Sequence, residues 1–177
     1  MPGAVATLVT AGTHEVPFHR LELAVADLAS RRALPAPVLV QTGSPPNENG
    51  ATPSLTAVDF LEPGELTRLM SAAQLVITHG GPGSIFMALE SGHRPIAVPR
   101  SAAHGEHVDD HQSAFVERMG ERGLVHAVQD PRALGPLIAS LATTRRVPGG
   151  WVGGERARSS TFAERFAPIA EAVLRRA

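Results

Sequence analysis

Short runs of aliphatic and β-branched residues alternate along the chain with longer segments in which apolar residues recur at helical spacing. The short runs predict six β-strands, at residues 5–10, 36–42, 56–61, 75–79, 95–99 and 124–128. The longer segments predict helices at residues 18–32, 63–74, 84–92, 111–123, 130–146 and 160–177. Strands that alternate with helices favour right-handed βαβ crossovers, and therefore a parallel sheet. The pattern thus predicts an α/β fold, a Rossmann-like parallel sheet flanked by helices.

The chain shows no internal repeat and no second composition regime, so a single domain over 1–177 is the economical prediction. Its core is expected at about 5–146, followed by a glycine-rich link at 147–159 and the amphipathic helix at 160–177. The polar segment at 43–54 holds three prolines and is too long for a tight turn.

Composition then narrows the class of protein. The 177 residues are 43% hydrophobic with a net charge of −1, which argues against a nucleic-acid binder because no basic surface dominates. The chain has no cysteine, which excludes disulfides and thiolate metal sites. No apolar run approaches the ~20 residues that span a bilayer, and the start lacks the features of a signal peptide. A cytoplasmic protein is expected.

Three polar segments follow predicted strands and should meet at one edge of the sheet. They are "AGTHE", "HGGPGS" and "RSAAHGEHVDDHQ". In open α/β sheets ligands bind beyond the carboxyl ends of the strands, so three such segments together indicate a binding site.

The segment "LVITHGGPGSIFMALESG" has the order strand, glycine turn, helix. Glycine lets the backbone approach a ligand closely, and the start of the following helix offers unpaired N–H groups to a phosphate. The favoured interpretation is a diphosphate cradle; the alternative is a tight turn in which Ser84 only caps the helix. The Walker pattern, the GxGxxG fingerprint and the GxSxG elbow of serine hydrolases are all absent from the sequence.

The segment "HGEHVDDH" allows three interpretations: a metal site, a polar loop for a hydroxyl-rich ligand, or a solvated loop with a helix cap. Its spacing is not HExxH, and Asp109 with Gln112 fits a capping box. Planar polar groups recognise sugars, so the second interpretation, beside a diphosphate cradle, points to a nucleotide sugar. The residues predicted to contact the sugar are Glu106, His107, Asp110, His111 and Gln112.

Together, "LVTAGTHEVPFHRLE", "VDFLEPGELTRLMSAAQLVITHGGPGSIFMALESGHRPIAVPR" and "GEHVDDHQSAF" resemble the family 28 glycosyltransferase C-terminal domain. The resemblance covers roughly residues 5–130 and is strongest to its stand-alone form. That form includes the catalytic subunit of the eukaryotic dolichol-linked UDP-GlcNAc transferase and bacterial exopolysaccharide glucuronosyl- and galactosyltransferase subunits. The segments "GTHEVPFHRL", "HGGPGSI" and "GEHVDDHQ" are most like the bacterial group.

The resemblance implies the C-terminal half of a GT-B glycosyltransferase that binds a UDP-sugar, while a separate, membrane-associated subunit holds the acceptor. It implies that the backbone at Phe60 and Leu61 faces the uracil. It implies a diphosphate held around Gly12, Thr13, His79, Gly80, Gly81, Gly83 and Ser84. No metal and no cofactor are expected, since the helix N-terminus can take the part that a metal has elsewhere.

One position departs from the family pattern, in which many relatives carry a glutamate for the ribose hydroxyls three residues after the Ser or Thr of the glycine loop. Here that position is Met87, and Glu90 lies one turn further on. The base that deprotonates the acceptor commonly comes from the other half; within this chain His14 is the candidate, against the alternative of a loop histidine that caps or faces the partner.

The sequence therefore predicts a hexosyltransferase of exopolysaccharide or lipid-linked sugar synthesis that is active only with its partner subunit. The partner would recruit it to the inner face of the membrane, and without the partner a homodimer is an option. The alternative function is a non-catalytic nucleotide-binding or scaffolding module of the same fold, which Met87 favours.

Overall fold

The computed structural model describes residues 4–44 and 54–144. Its strands are β1 (Thr7–Thr10), β2 (Val38–Gln41), β3 (Leu55–Val58), β4 (Leu75–His79), β5 (Ile96–Val98) and β6 (His126–Ala127). Its α-helices are α1 (His19–Ser30), α2 (Pro63–Ala72), α3 (Pro82–Glu90), α4 (His111–Glu121) and α5 (Leu134–Thr144). Short 3₁₀ turns lie at Ala102–His104 and Pro131–Ala133. In this part of the chain every strand pairing is parallel and the order is β3-β2-β1-β4-β5-β6, which confirms the predicted Rossmann-like sheet.

Helices cover both faces of the sheet because the side chains of each strand alternate between them. Val9 points to the face on which the apolar sides of α1 and α5 pack. Its neighbour Leu8 points to the opposite face, where it packs with α2 and α3. At the β5 end of that second face, Ala97 packs with Val116 of α4. The molecule is therefore a three-layer sandwich whose functional edge is left to the loops.

Proline starts two of the helices. Pro63 and Pro82 occupy the first turns of α2 and α3, where proline already has a helical φ and its missing N–H would have had no partner. Helix α3 therefore begins two residues before the predicted residue 84. Its N-cap is Gly81, so Ser84 is its third residue and the alternative that made Ser84 the cap was wrong.

Other boundaries also differ from the prediction. The strand predicted at 56–61 is found at Leu55–Val58, so Phe60 and Leu61 lie on the connection to α2. The helix predicted at 130–146 begins with a 3₁₀ turn, because Asp130 accepts a hydrogen bond from the backbone N–H of Arg132 at 3.0 Å.

The predicted link and final helix lie outside the described residues, as does most of the predicted loop at 43–54. Within the described ranges, no helix combines the length and the hydropathy needed to cross a bilayer.

Candidate functional site

The two central strands leave a crevice at their carboxyl ends. β1 and β4 lie side by side, and the chain continues from β1 to α1 on one face and from β4 to α3 on the other. Such a switch point is where doubly wound sheets bind ligands. A cavity of about 270 Å³ lies there, lined by Thr10, Gly12, Thr13, Gln41, Phe60, Leu61, Pro63, Leu66, His79, Gly83, Ser84 and Met87. Every residue predicted to bind the nucleotide or diphosphate lines it except Gly80 and Gly81.

The three glycines of the loop have different physical roles. A Cβ on Gly81 would lie 2.2 Å from Nε2 of His79, and one on Gly80 would lie 2.9 Å from Cα of Pro99. These two glycines are needed for the packing of the loop itself. A Cβ on Gly83 would meet no protein atom within 4 Å. Packing within the protein therefore does not require glycine at this position, and the space beside Gly83 belongs to the cavity.

The start of α3 is suited to an anion. The first N–H groups of a helix have no intrahelical partner and carry partial positive charge. No side chain caps this helix and its first turn holds no acidic residue, so the helix itself carries no group that neutralises this charge. Gly83 and Ser84 lie in this first turn and line the cavity, where Ser84 adds a hydroxyl donor.

His79 ends β4 and is held between two turns. Its ring lies against Gly81 on one side and against Gly12 on the other, where a Cβ would be 2.9 Å from Cε1; Gly12 itself has a φ of +87°. Burial above all, together with the charge of Arg100, lowers the pKa of His79 to about 4, although the nearby backbone of Thr10 acts to raise it. The imidazole is therefore neutral at pH 7.

Two polar side-chain atoms of the cavity residues are buried without any hydrogen-bond partner, Oε1 of Gln41 and Nδ1 of His79. Buried polar atoms in folded proteins are nearly always paired, because leaving one unpaired costs free energy. Both residues line the cavity, so these two atoms are candidates for contact with a ligand.

A buried arginine that the sequence analysis did not single out joins the loops around the crevice. Arg100 is fully buried and donates to the carbonyl oxygens of Ala11 at 2.8 Å, Val16 at 2.6 Å and Glu106 at 3.3 Å. Its guanidinium carbon lies 4.9 Å from the ring centre of Phe18. Burial lowers the pKa of Arg100, and nearby carboxylates oppose that effect. The only sequence signal was its position directly after a buried strand.

Glu106, predicted to contact a sugar, is engaged inside the protein. Its two carboxylate oxygens accept from Nε and Nη2 of Arg20 at 3.0 and 2.8 Å, and Oε2 also accepts from the backbone N–H of Ser101 at 3.0 Å. Burial raises the pKa of Glu106, but these hydrogen bonds more than offset the effect, and the pKa lies below its usual value. In this conformation the carboxylate stabilises the loop and is not free for a ligand.

The start of α4 is attached to its neighbours by two further residues predicted to contact a sugar. Oδ1 of Asp110 accepts from the backbone N–H of Ala102 at 3.0 Å. Oε1 of Gln112 accepts from the backbone N–H of Arg100 at 3.1 Å, and its Cβ lies 3.0 Å from the position of a Cβ on Gly80. The predicted capping box of Asp109 and Gln112 was wrong, since Gln112 is turned to Arg100.

The histidines at the mouth of the site are linked through one carboxylate. Nδ1 of His107 and Nδ1 of His111 lie 3.2 and 2.8 Å from the oxygens of Asp109, and the rings of His14 and His107 are 5.2 Å apart. Nδ1 of His14 accepts from the backbone N–H of Val16 at 3.1 Å, so the neutral ring carries its hydrogen on Nε2 and donates there. His111 has the opposite arrangement, with Nδ1 toward a carboxylate and an exposed Nε2.

Within 4–44 and 54–144, no group of three or more histidine, aspartate or glutamate side chains is arranged to hold a metal ion. In the segment "HGEHVDDH", Glu106 instead pairs with Arg20, Asp109 lies between His107 and His111, and Asp110 accepts from a backbone N–H.

The sequence model of the Glycosyltransferase family 28 C-terminal domain matches residues 6–148. No curated protein matches the sequence. MurG of Acinetobacter baumannii has a similar structure, with a TM-score of 0.61 and 19% identity over 80% of this chain and 42% of MurG.

The glycotransferase of kitacinnamycin gives a TM-score of 0.57 and 17% identity over 96% of this chain and 39% of that chain. CalG4, the calicheamicin glycosyltransferase, gives a TM-score of 0.53 and 21% identity over 99% of this chain and 45% of CalG4. The chain thus spans less than half the length of each of these proteins. At these identities the likeness shows the fold, which is that of the C-terminal half of GT-B glycosyltransferases.

Proposed function

The chain belongs to the glycosyltransferase family 28 C-terminal domain family, and from this premise we propose that it is the donor-binding half of a glycosyltransferase. It transfers a sugar from a UDP-sugar to a polysaccharide or lipid-linked acceptor, which a separate membrane-associated subunit holds. One observation carries the proposal. The cavity at the switch point combines the uncapped start of α3 with two buried polar atoms that have no partner, Oε1 of Gln41 and Nδ1 of His79.

The leaving group is stabilised from α3. In the transfer, the bond between the anomeric carbon and the diphosphate oxygen breaks and UDP leaves with the electron pair. The unpaired N–H groups of the first turn and the hydroxyl of Ser84 face the negative charge that develops. Neutral His79 adds a hydrogen-bonding group without the cost of burying a charge.

The acceptor hydroxyl must lose a proton as its oxygen attacks the anomeric carbon. His14 is poorly arranged for this, because its Nδ1 is occupied by the N–H of Val16 and its Nε2 carries the hydrogen. His111 is the better candidate for a base in this chain, since Asp109 holds its Nδ1 and leaves Nε2 exposed. His14 then fits a donor role toward the diphosphate or the sugar.

The alternative function is a non-catalytic module that binds a nucleotide or acts as a scaffold. The observation in its favour is Met87, which lines the cavity with an apolar side chain where many relatives are expected to hold the ribose. Such a module would bind nucleotide without transferring sugar in any combination with a partner. Loss of transfer on His111→Gln, with UDP affinity retained, would favour the enzyme over the module.

The two helices that begin with Pro-Gly provide a matched test of donor binding. Gly83 and Gly64 are both the second residue of their helix, and a Cβ on either meets no protein atom within 4 Å, but only Gly83 lines the cavity. We expect Gly83→Val to abolish UDP binding in titration calorimetry. Gly64→Val should leave it unchanged, with both variants folded by circular dichroism. Equal affinities of the two variants would contradict the proposed site.

Partner dependence requires a separate experiment. The purified chain should bind UDP-sugar but transfer little, and transfer should rise when the acceptor-binding subunit is added. Rapid transfer by the chain alone would refute the two-subunit part of the proposal and leave donor binding intact.

A further inference from the structure

The cavity has two chemically different ends. The end at the start of α3 offers N–H and hydroxyl groups, as described above. The other end is an apolar shelf formed by Phe60, Leu61, Pro63, Leu66 and Met87, on which a nucleoside can pack. Among the described residues that line the cavity, none is an aspartate or a glutamate. A carboxylate is the usual group that holds ribose hydroxyls in doubly wound folds, because it can accept from both of them.

Gln41 is a neutral acceptor beside this shelf. It ends β2 and pairs in register with Thr10 of β1, which places it at the carboxyl edge next to the crevice. Gln41 is 2% exposed, and its backbone oxygen accepts from the N–H of Ala11 at 2.8 Å. Its side-chain Oε1 is buried without a hydrogen-bond partner, and the residue is one of those that line the cavity.

The neighbouring residue shows that pairing is available at this edge. Thr42 follows Gln41, is also buried, and donates its hydroxyl to the carbonyl oxygen of Val58 at 3.0 Å. Thr42 thus has a hydrogen-bond partner within the protein, whereas the amide oxygen of Gln41, the residue before it, has none. Because Gln41 lines the cavity, a ligand bound there can supply the hydrogen bond that the protein does not.

We propose that Oε1 of Gln41 accepts a hydrogen bond from the 2′-hydroxyl of the donor nucleotide and is the specificity-determining group for the ribose. This inference rests on the proposed function, since it assumes that a nucleoside diphosphate occupies the cavity. A neutral amide oxygen makes one hydrogen bond of ordinary strength, whereas a carboxylate makes two stronger ones. The site therefore discriminates weakly against 2′-deoxyribonucleotides, and deoxyribonucleoside diphosphate sugars are within its substrate class.

The test compares UDP with 2′-deoxy-UDP by titration calorimetry on wild type and Gln41→Met. Methionine keeps the length of the side chain and removes the acceptor. Wild type should prefer UDP by roughly three- to tenfold, the factor that one neutral hydrogen bond gives. In Gln41→Met the UDP affinity should fall by the same factor and the 2′-deoxy-UDP affinity should not change, so that the preference disappears. The exposed Gln74 supplies the control, because Gln74→Met should bind both nucleotides as wild type does.

Each other outcome overturns the inference. Equal losses for both nucleotides would mean that Gln41 contacts the base or the phosphates. No loss for either would mean that it contacts nothing, and a wild-type preference well above tenfold would mean that another acceptor holds the ribose. If wild type binds neither nucleotide, the proposed donor-binding function itself is contradicted. If it binds both but Gln41→Met behaves differently from the expectation, only the role of Gln41 is contradicted. Folding can be checked independently, because removing a buried atom without a partner should leave Gln41→Met at least as stable as wild type toward urea.

Discussion

Two groups of polar residues lie at the carboxyl edge of the sheet and differ in how their atoms are paired. In the group formed by Arg20, Arg100 and Glu106, hydrogen bonds within the protein engage both guanidinium groups and the carboxylate. One atom there has no hydrogen-bond partner, Nε of Arg100, and that guanidinium lies against the ring of Phe18. In the cavity, by contrast, Gln41 and His79 each keep a buried atom open.

The contrast suggests a way to distinguish polar side chains that stabilise the fold from polar side chains that can bind a ligand. All of these side chains are polar and either buried or half-buried, so neither residue type nor burial distinguishes them. Pairing does, because an internally satisfied group gains nothing from a ligand, whereas an open one does. Substitutions in the first group should therefore reduce stability, and substitutions in the second should reduce binding.

The largest effect on stability is expected from Arg100→Met. The change leaves the carbonyl oxygens of Ala11 and Val16 without their charged donor inside the protein, and the free energy of unfolding should fall by about 3–4 kcal/mol. Urea denaturation against Arg118→Met, an exposed position on α4, measures it. If Arg100→Met keeps its stability but loses UDP binding, Arg100 belongs to the ligand site, and the division between the two groups is contradicted.

The next effect concerns pH. The pKa of His79 is about 4 in the folded protein and ~6.5 when unfolded. Between these values the unfolded chain takes up a proton that the folded chain does not, so stability falls as the pH drops through this range. At pH 4, this difference in the protonation of His79 should lower the free energy of unfolding by about 3 kcal/mol relative to neutral pH. His79→Asn should lose that part of the acid dependence, while His93 and His126, whose pKa values burial also lowers, keep theirs.

Unfolding measured from pH 7.5 to pH 4 in both proteins tests this expectation. Parallel stability curves would show that His79 is not neutral and enclosed in the folded state. Binding of UDP should in turn weaken in His79→Asn, since the residue borders the cavity.

The smallest of the three effects is expected from Glu106→Gln, at about 2 kcal/mol at pH 7. The hydrogen bonds of Arg20 and Ser101 hold the pKa of Glu106 below its usual range, so the carboxylate stabilises the fold above that range. The contribution is lost as the pH falls through the lowered value, and wild type and variant should converge in acid. Glu117→Gln, at an exposed position of α4, is the control. A loss of sugar affinity without a loss of stability would restore Glu106 to the binding site.

The sequence was sufficient for the fold class and for one half of the cavity. Hydrophobic periodicity located all six strands, and the glycine turn after "LVITH" indicated the start of α3, because both signals are local. Five of the seven residues predicted near the nucleotide that line the cavity lie in or next to the turns after β1 and β4, which have such local signals, whereas Phe60 and Leu61 were assigned by the family resemblance.

The rest of the site depends on contacts between residues that are far apart in the sequence, and the local sequence pattern does not reveal these contacts. Arg20 and Glu106 are 86 positions apart, so the pair that engages Glu106 was not visible, and a cluster of charged residues was interpreted as a sugar site. Gln41 was missed for the opposite reason. The sequence pattern of one polar residue at the end of an apolar strand is the same whether or not its side-chain oxygen has a hydrogen-bond partner in the folded protein.

The attachment of Gln112 has a mechanical consequence. Its Oε1 holds the backbone after β5, and its Cβ packs beside Gly80. The distance between the glycine turn after β4 and the start of α4 is thereby set by the fold itself. If a UDP-sugar contacts both segments, as proposed, their relative position is already fixed when the ligand binds, so less conformational entropy is lost on binding.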